Sequence, residues 1–154
     1  MNVEVKPLEA EAERRACLEI AKALPEWFNE AGLKVMERDL KSETTFIAVE
    51  KDQVLGFITV KPLNDKALEI LWMAVRREFR GRGIGTEMLR FVERWAKANF
   101  EVLVVKTSGD LNYKPYDETR KFYERRGFVG VALIDPYPEW GEEALIYVKC
   151  LRKC

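Results

Sequence analysis

From Val75 to Thr86 the chain reads Val-Arg-Arg-Glu-Phe-Arg-Gly-Arg-Gly-Ile-Gly-Thr. Four arginines and one glutamate between Arg76 and Arg82 leave a local charge of +3 in a chain whose formal net charge is zero. An apolar run enters this stretch, and a well-patterned helix leaves it. Free backbone N–H groups at a helix start bind anions, aided by the helix dipole. Glycines let the backbone come close to a phosphate. The segment therefore predicts a cradle for a polyphosphate or pyrophosphate. A glycine-bearing turn with solvated arginines is the plain alternative. Two familiar phosphate motifs are excluded. No Gly-Lys occurs, so there is no P-loop. Thr86 stands where the dinucleotide fingerprint that begins at Gly81 needs its third glycine.

A second candidate lies just upstream. Glu69 sits on the apolar run Ala67 to Val75, and strand alternation puts it on one face with Leu71, Met73 and Val75. A carboxylate on an apolar strand face is desolvated, which strengthens it as a base. Composition limits what else can react. There is no His, which removes imidazole catalysis and every His-containing metal site. The three cysteines, Cys17, Cys150 and Cys154, are odd in number and form no C-x-x-C. They read as structural thiols rather than a disulfide framework or zinc ribbon, with pairing of Cys150 and Cys154 the lesser option. Zero net charge argues against a general nucleic-acid surface.

Elements must hold these residues in place. The length of 154 residues suits one domain, 1–154, with enough surface to bury without staples. Met1 to Pro7 alternates like a short strand, and Leu8 to Leu24 carries helical spacing. A second helical stretch presents Trp27, Phe28, Ala31, Val35 and Met36, with Gly32 interrupting it. Thr44 to Glu50 and Val54 to Val60 read as a hairpin joined by Lys51-Asp52-Gln53. Ala67 to Val75 is a third strand. The helix opened by Gly81 to Gly85 places Ile84, Met88, Phe91, Val92 and Trp95 on one face. Val102 to Val105 is a short strand, and Ser108 to Tyr116 a polar loop. Asp117 caps a helix running to Arg126, which Gly127 ends. Phe128 to Ile134 and Ala144 to Leu151 are the last strands. The expected fold is α/β or α+β, a mixed sheet with helices on both faces. No run is long and apolar enough to span a bilayer, and the first residues lack a signal-peptide core. A soluble, cytoplasmic protein is expected.

Arg80, Gly83 and Gly85 fit Arg-x-x-Gly-x-Gly, which resembles the acyl-CoA-binding motif of the GNAT superfamily of N-acetyltransferases. Phe122-Tyr123-Glu124-Arg125-Arg126-Gly127-Phe128 is similar to that superfamily's Phe-Tyr-x-x-x-Gly-Phe segment. One strand separates the motifs, and the element order agrees over nearly the whole chain. The resemblance implies a GNAT-like fold: a central, mostly antiparallel sheet of six or seven strands with about four helices. It implies direct acetyl transfer from acetyl-CoA, as cosubstrate, to an amine, with no covalent enzyme intermediate and no metal. Cofactor contacts would come from Met73, Ala74, Val75, Arg76, Arg80, Gly81, Arg82, Gly83, Ile84, Gly85 and Thr86. The backbone at Met73 to Val75 would serve the oxyanion. Tyr123 matches the general acid, and the position of Glu69 resembles that of the base. Many members carry an Asn six residues before the Phe; here that position is Tyr116, and Asn112 is the candidate substitute.

The family's acceptor site is flanked by the first two helices and the loop between the last strands. Here these carry Glu26, Trp27 and Phe28, and Asp135 to Glu143 with four acids and two aromatics. Such a wall suits a cationic amine of a small molecule or peptide. A solvated hairpin loop is the alternative. No nucleic-acid or membrane partner is expected, and a homodimer is compatible with the reading. The rival functions are a non-catalytic acyl-CoA- or nucleotide-binding module and, with less support, an RNA-binding protein.

Overall fold

The computed structural model describes residues 2–152. Its elements are β1 (Glu4–Pro7), α1 (Glu11–Lys22), α2 (Glu30–Ser42), β2 (Thr44–Glu50), β3 (Gln53–Pro62), β4 (Ala67–Val75), a 3-10 turn (Arg77–Phe79), α3 (Ile84–Ala96), β5 (Val102–Ser108), α4 (Pro115–Arg125), β6 (Val129–Tyr137) and β7 (Glu142–Cys150). The strands form one mixed seven-stranded sheet in the order β1-β2-β3-β4-β5-β7-β6. This is the expected α/β class, with seven strands and four α-helices among the described residues. Internal contacts divide the chain into two compact units, Met1–Lys61 with Ile70–Ala98, and Pro62–Glu69 with Asn99–Cys154.

In the first unit β1, β2 and β3 pair antiparallel. Lys51 and Asp52 take positive φ at the β2–β3 turn, as a tight two-residue hairpin requires. Alternation along β2 sends neighbours to opposite faces. Ile47 joins Cys17, Ile20, Met36, Leu40 and Phe57 in a core beneath α1 and α2. Phe46 packs instead against Phe91 and Trp95 of α3, at 5.0 and 5.1 Å between ring centres. Gly32 does not interrupt the second helix. It lies in the first turn of α2, where its N–H donates to the side chain of the capping Asn29 at 2.8 Å. Trp27 and Phe28 precede that helix, and its buried residues are Met36, Asp39 and Leu40, with Val35 exposed.

In the second unit β5 and β6 both pair antiparallel with β7. Tyr147 of β7 lies opposite Val105 and donates to Glu124 of α4 at 2.7 Å, which fixes the face that α4 covers. β5 extends through Lys106, Thr107 and Ser108, beyond its expected end at Val105. α4 begins at Pro115 rather than at a cap by Asp117, because proline is preorganised for the first helical turn. Asp117 instead pairs with Arg120, whose guanidinium also donates to Ser108 O. The final hairpin is longer than expected: Asp135 to Tyr137 belong to β6, and Glu142 and Glu143 to β7. Cys17 is buried, and burial pushes its thiol up to about 12. Cys150 is disulfide-bonded, which corrects its reading as a free thiol. Pairing of Cys150 with Cys154 involves a residue outside those described.

Candidate active site

The glycine-rich turn grows out of the end of β4. Arg76 N donates to Leu55 O at 2.7 Å, and its Nε to Val54 O at 2.6 Å, so the strand's exit is anchored on β3. Gly56 on β3 permits this packing, since a Cβ there would lie 2.7 Å from Ala74 O and 3.2 Å from Met88 Cε. Met73, Ala74 and Val75 thus form the lead-in to the turn. Gly81 and Gly83 both adopt positive φ, +76° and +82°, and a Cβ on either would meet nothing within 4 Å. Gly83 is the N-cap of α3, and the first intrahelical bond runs from Glu87 N to Gly83 O. The turn from Ile84 to Thr86 therefore carries the positive end of the helix dipole beside open space.

The arginines divide into two kinds. Arg77 is bidentate on Glu26 at 2.8 Å and also donates to Ala23 O. Its hydrogen bond holds the Glu26 carboxyl down at about 2. Arg76 and Arg77 are thus engaged by the protein itself, and the expected +3 cluster is not a set of four outward cations. Arg80 stands 4.3 Å over the Trp27 ring, and Arg82 5.1 Å over that of Phe79. Glu26 and Trp27, expected at the acceptor side, serve here as partners of these arginines.

A second set of candidate residues belongs to the second unit. Glu69 is buried on β4, as expected, but not alone: Lys106 Nζ lies 3.1 Å from its Oε2. Lys106 also donates to the Tyr137 hydroxyl at 2.7 Å. Burial alone would depress the ammonium. The Tyr137 and Glu69 contacts outweigh burial and hold it above the usual lysine value. Tyr123 is buried in α4, edge-on to Phe122 and Phe128 at 5.3 and 5.2 Å. Burial pushes its phenol well above the ordinary value. The hydroxyl has no hydrogen-bond partner among the described residues. Thr107 Oγ1 is also buried without a partner. Two residues from Val105, it shares the strand face that α4 covers, while Lys106 and the Glu69 carboxylate lie on the other.

Asn112 is exposed in the β5–α4 loop, its N–H donating to Asp110 Oδ1. Tyr116 is half-buried, and burial raises its phenol. At the end of the last hairpin Tyr137 and Trp140 pack edge to face at 5.2 Å. Lys106 and Thr107 were missed from the sequence. A polar pair ending an apolar run was the available signal. Among the described residues no cluster of His, Cys, Asp or Glu is placed to hold a metal, and no helix is long and apolar enough to cross a membrane.

Comparison with solved structures defines the fold class first. A GNAT-family protein from Desulfovibrio desulfuricans superposes with a TM-score of 0.87 at 20% identity, over 98% of this chain and 100% of that one. A GNAT family acetyltransferase from Elizabethkingia anophelis with acetyl-CoA bound gives 0.74 at 21%, over 97% and 98%. The sequence comparisons then give the family. The model of the Acetyltransferase (GNAT) family matches residues 13–128. An uncharacterized N-acetyltransferase of Methanocaldococcus jannaschii is 37% identical over 108 residues, 68% of this chain and 64% of that protein's length. This chain belongs to the GNAT acetyltransferase family.

Proposed function

We propose that the chain acts as one N-acetyltransferase domain that moves an acetyl group from acetyl-CoA to a primary amine of a small molecule or peptide. The observation that carries the reading is the pair of left-handed glycines, Gly81 and Gly83, facing open space at the start of α3. Among the described residues no atom lies within 4 Å of a Cβ built at either position, which leaves this backbone open to a ligand. The unpartnered Thr107 hydroxyl adds a buried polar atom that a ligand would satisfy. Bound acetyl-CoA in the Elizabethkingia anophelis neighbour supports the same cosubstrate.

Acetyl-CoA supplies the activated acyl group. The chain's own residues then have four tasks. Backbone from Arg80 to Thr86 holds the pyrophosphate, with Arg80 and Arg82 at its edge. The backbone of Met73 to Val75 donates to the developing oxyanion. Glu69 accepts the proton of the acceptor's ammonium through Oε1, which has no partner among the described residues. Tyr123 donates to the departing sulfur.

Tyr137, Trp140 and the hairpin's acids support a cationic acceptor. The reading includes a homodimer: β6 ends the sheet and leaves Val129, Val131 and Leu133 about 60% exposed, and sedimentation tests it. The first test is thermal stabilisation by acetyl-CoA, because a ligand of the folded state raises the melting temperature with concentration. No shift at millimolar acetyl-CoA contradicts the proposal. A shift with no amine acetylated supports the non-catalytic binding module instead.

A further inference from the structure

Glu69, Lys106 and Tyr137 form a chain inside one compact unit. The Glu69 and Lys106 side chains are 8% and 18% exposed, and Nζ bridges Glu69 Oε2 at 3.1 Å to the Tyr137 hydroxyl at 2.7 Å. A buried carboxylate and a buried ammonium are each costly unless paired. The pairing engages one carboxylate oxygen. Oε1 has no partner among the described residues, nor is it among the sealed, unsatisfied atoms. Tyr137 in turn packs on Trp140 at the hairpin corner, and Gly141 N and Trp140 N both donate to Tyr137 O. The corner is thereby a fixed mount for the far end of Lys106.

We infer that Lys106 is a positioning residue for acetyl transfer: it holds Glu69 by Oε2, leaves Oε1 to take the acceptor's proton, and ties the carboxylate to the Tyr137–Trp140 corner. The inference rests on Glu69 acting as the base. The titratable groups in contact at this cluster are Lys106 of β5 and Tyr137 of β6. Removing the ammonium favours the protonated, inactive form of Glu69, so the acidic limb of the rate profile moves to higher pH. A purely structural ion pair would change stability and leave that limb where it is.

The experiment reads Glu69 directly and then the reaction. Carboxyl 13C NMR of Glu-labelled protein, with the Glu69 signal identified by its loss in Glu69→Gln, gives the titration midpoint in wild type, Lys106→Met and Lys106→Arg. Lys106→Met preserves the stem and should raise the midpoint by about one pH unit or more, as loss of a neighbouring opposite charge does. Lys106→Arg should stay near wild type. Tyr137→Phe, which removes one anchor, should move it less than Lys106→Met. In acetyl-transfer assays with the best acceptor from a panel of polyamines, amino acids, aminoglycosides and peptides, Lys106→Met should lose about tenfold or more near neutral pH. It should recover as pH rises. In a Glu69→Gln background Lys106→Met should cost little more. An unmoved midpoint in Lys106→Met overturns the inference while leaving the base intact. A moved midpoint with full activity in Glu69→Gln refutes Glu69 as base and removes the catalytic meaning of Lys106.

Discussion

Replacing Tyr123 by Phe isolates one hydroxyl. The ring keeps its edge-on contacts with Phe122 and Phe128. The phenol binds its proton more tightly than a free phenol, at about 10, because it is buried. A free thiol releases its proton at about 8.5. Complete proton transfer from Tyr123 to a thiolate is therefore uphill by more than about 1.5 pH units, or about 2 kcal/mol. On the proposed mechanism, the favourable act of Tyr123 would be hydrogen-bond donation to the charge that develops on sulfur. Such a bond to a charged group contributes about 1.5–3 kcal/mol. Tyr123→Phe should thus lower kcat by about 10- to 150-fold. CoA affinity should hardly change, because the bond strengthens only as charge appears. Stability should be unchanged or slightly higher, since no partner among the described residues is lost. Steady-state kinetics, CoA titration calorimetry and a thermal melt on this one variant suffice. Wild-type turnover would refute the reasoning. So would a melting temperature several degrees lower, which would reveal a structural bond.

Thr107→Val keeps the shape and removes an orphan hydroxyl, so the unliganded protein should melt at the same temperature or higher while CoA binds more weakly by calorimetry. Gly83→Ala places a methyl group in space the protein leaves empty, at a φ of +82°; backbone strain should cost about 1–2 kcal/mol in denaturant melts, and any further loss of CoA binding reports a clash with the ligand. Gly56→Ala puts a Cβ against the Ala74 carbonyl and should destabilise by about 1–3 kcal/mol in urea melts, with acetyl transfer slowed by the displaced end of β4. Glu26 has a folded value near 2, depressed by Arg77, so its contribution is present above its unfolded value of about 4.5. The small stability difference between wild type and Glu26→Gln should therefore vanish in acid melts as pH falls from about 4.5 toward 2.

The glycine-rich turn before α3 was legible because it is local: glycines, arginines and the following helix are contiguous, and their physics needs no distant partner. β4 was legible from end to end because its apolar run is continuous. β5 was cut short at Val105 because Lys106 and Thr107 break the apolar run. Cross-strand bonding to β7 extends it regardless of side-chain polarity. Gly32 looked like a helix interruption because propensity was weighed without the Asn29 cap that uses its N–H. The Glu69–Lys106 pair joins strands distant in sequence, so no spacing rule exposes it. The arginine count gave a local charge of +3, but a count cannot show that Arg77 is paired with Glu26.

Thiol release with acetyl-CoA and a panel of primary amines tests the central claim most directly, with acetylated product counted by mass spectrometry. The account predicts amine-dependent release, one acetyl group gained per thiol freed, which disappears in Gly83→Val. Tight CoA binding by the wild-type chain with no amine-dependent release across the panel would contradict it.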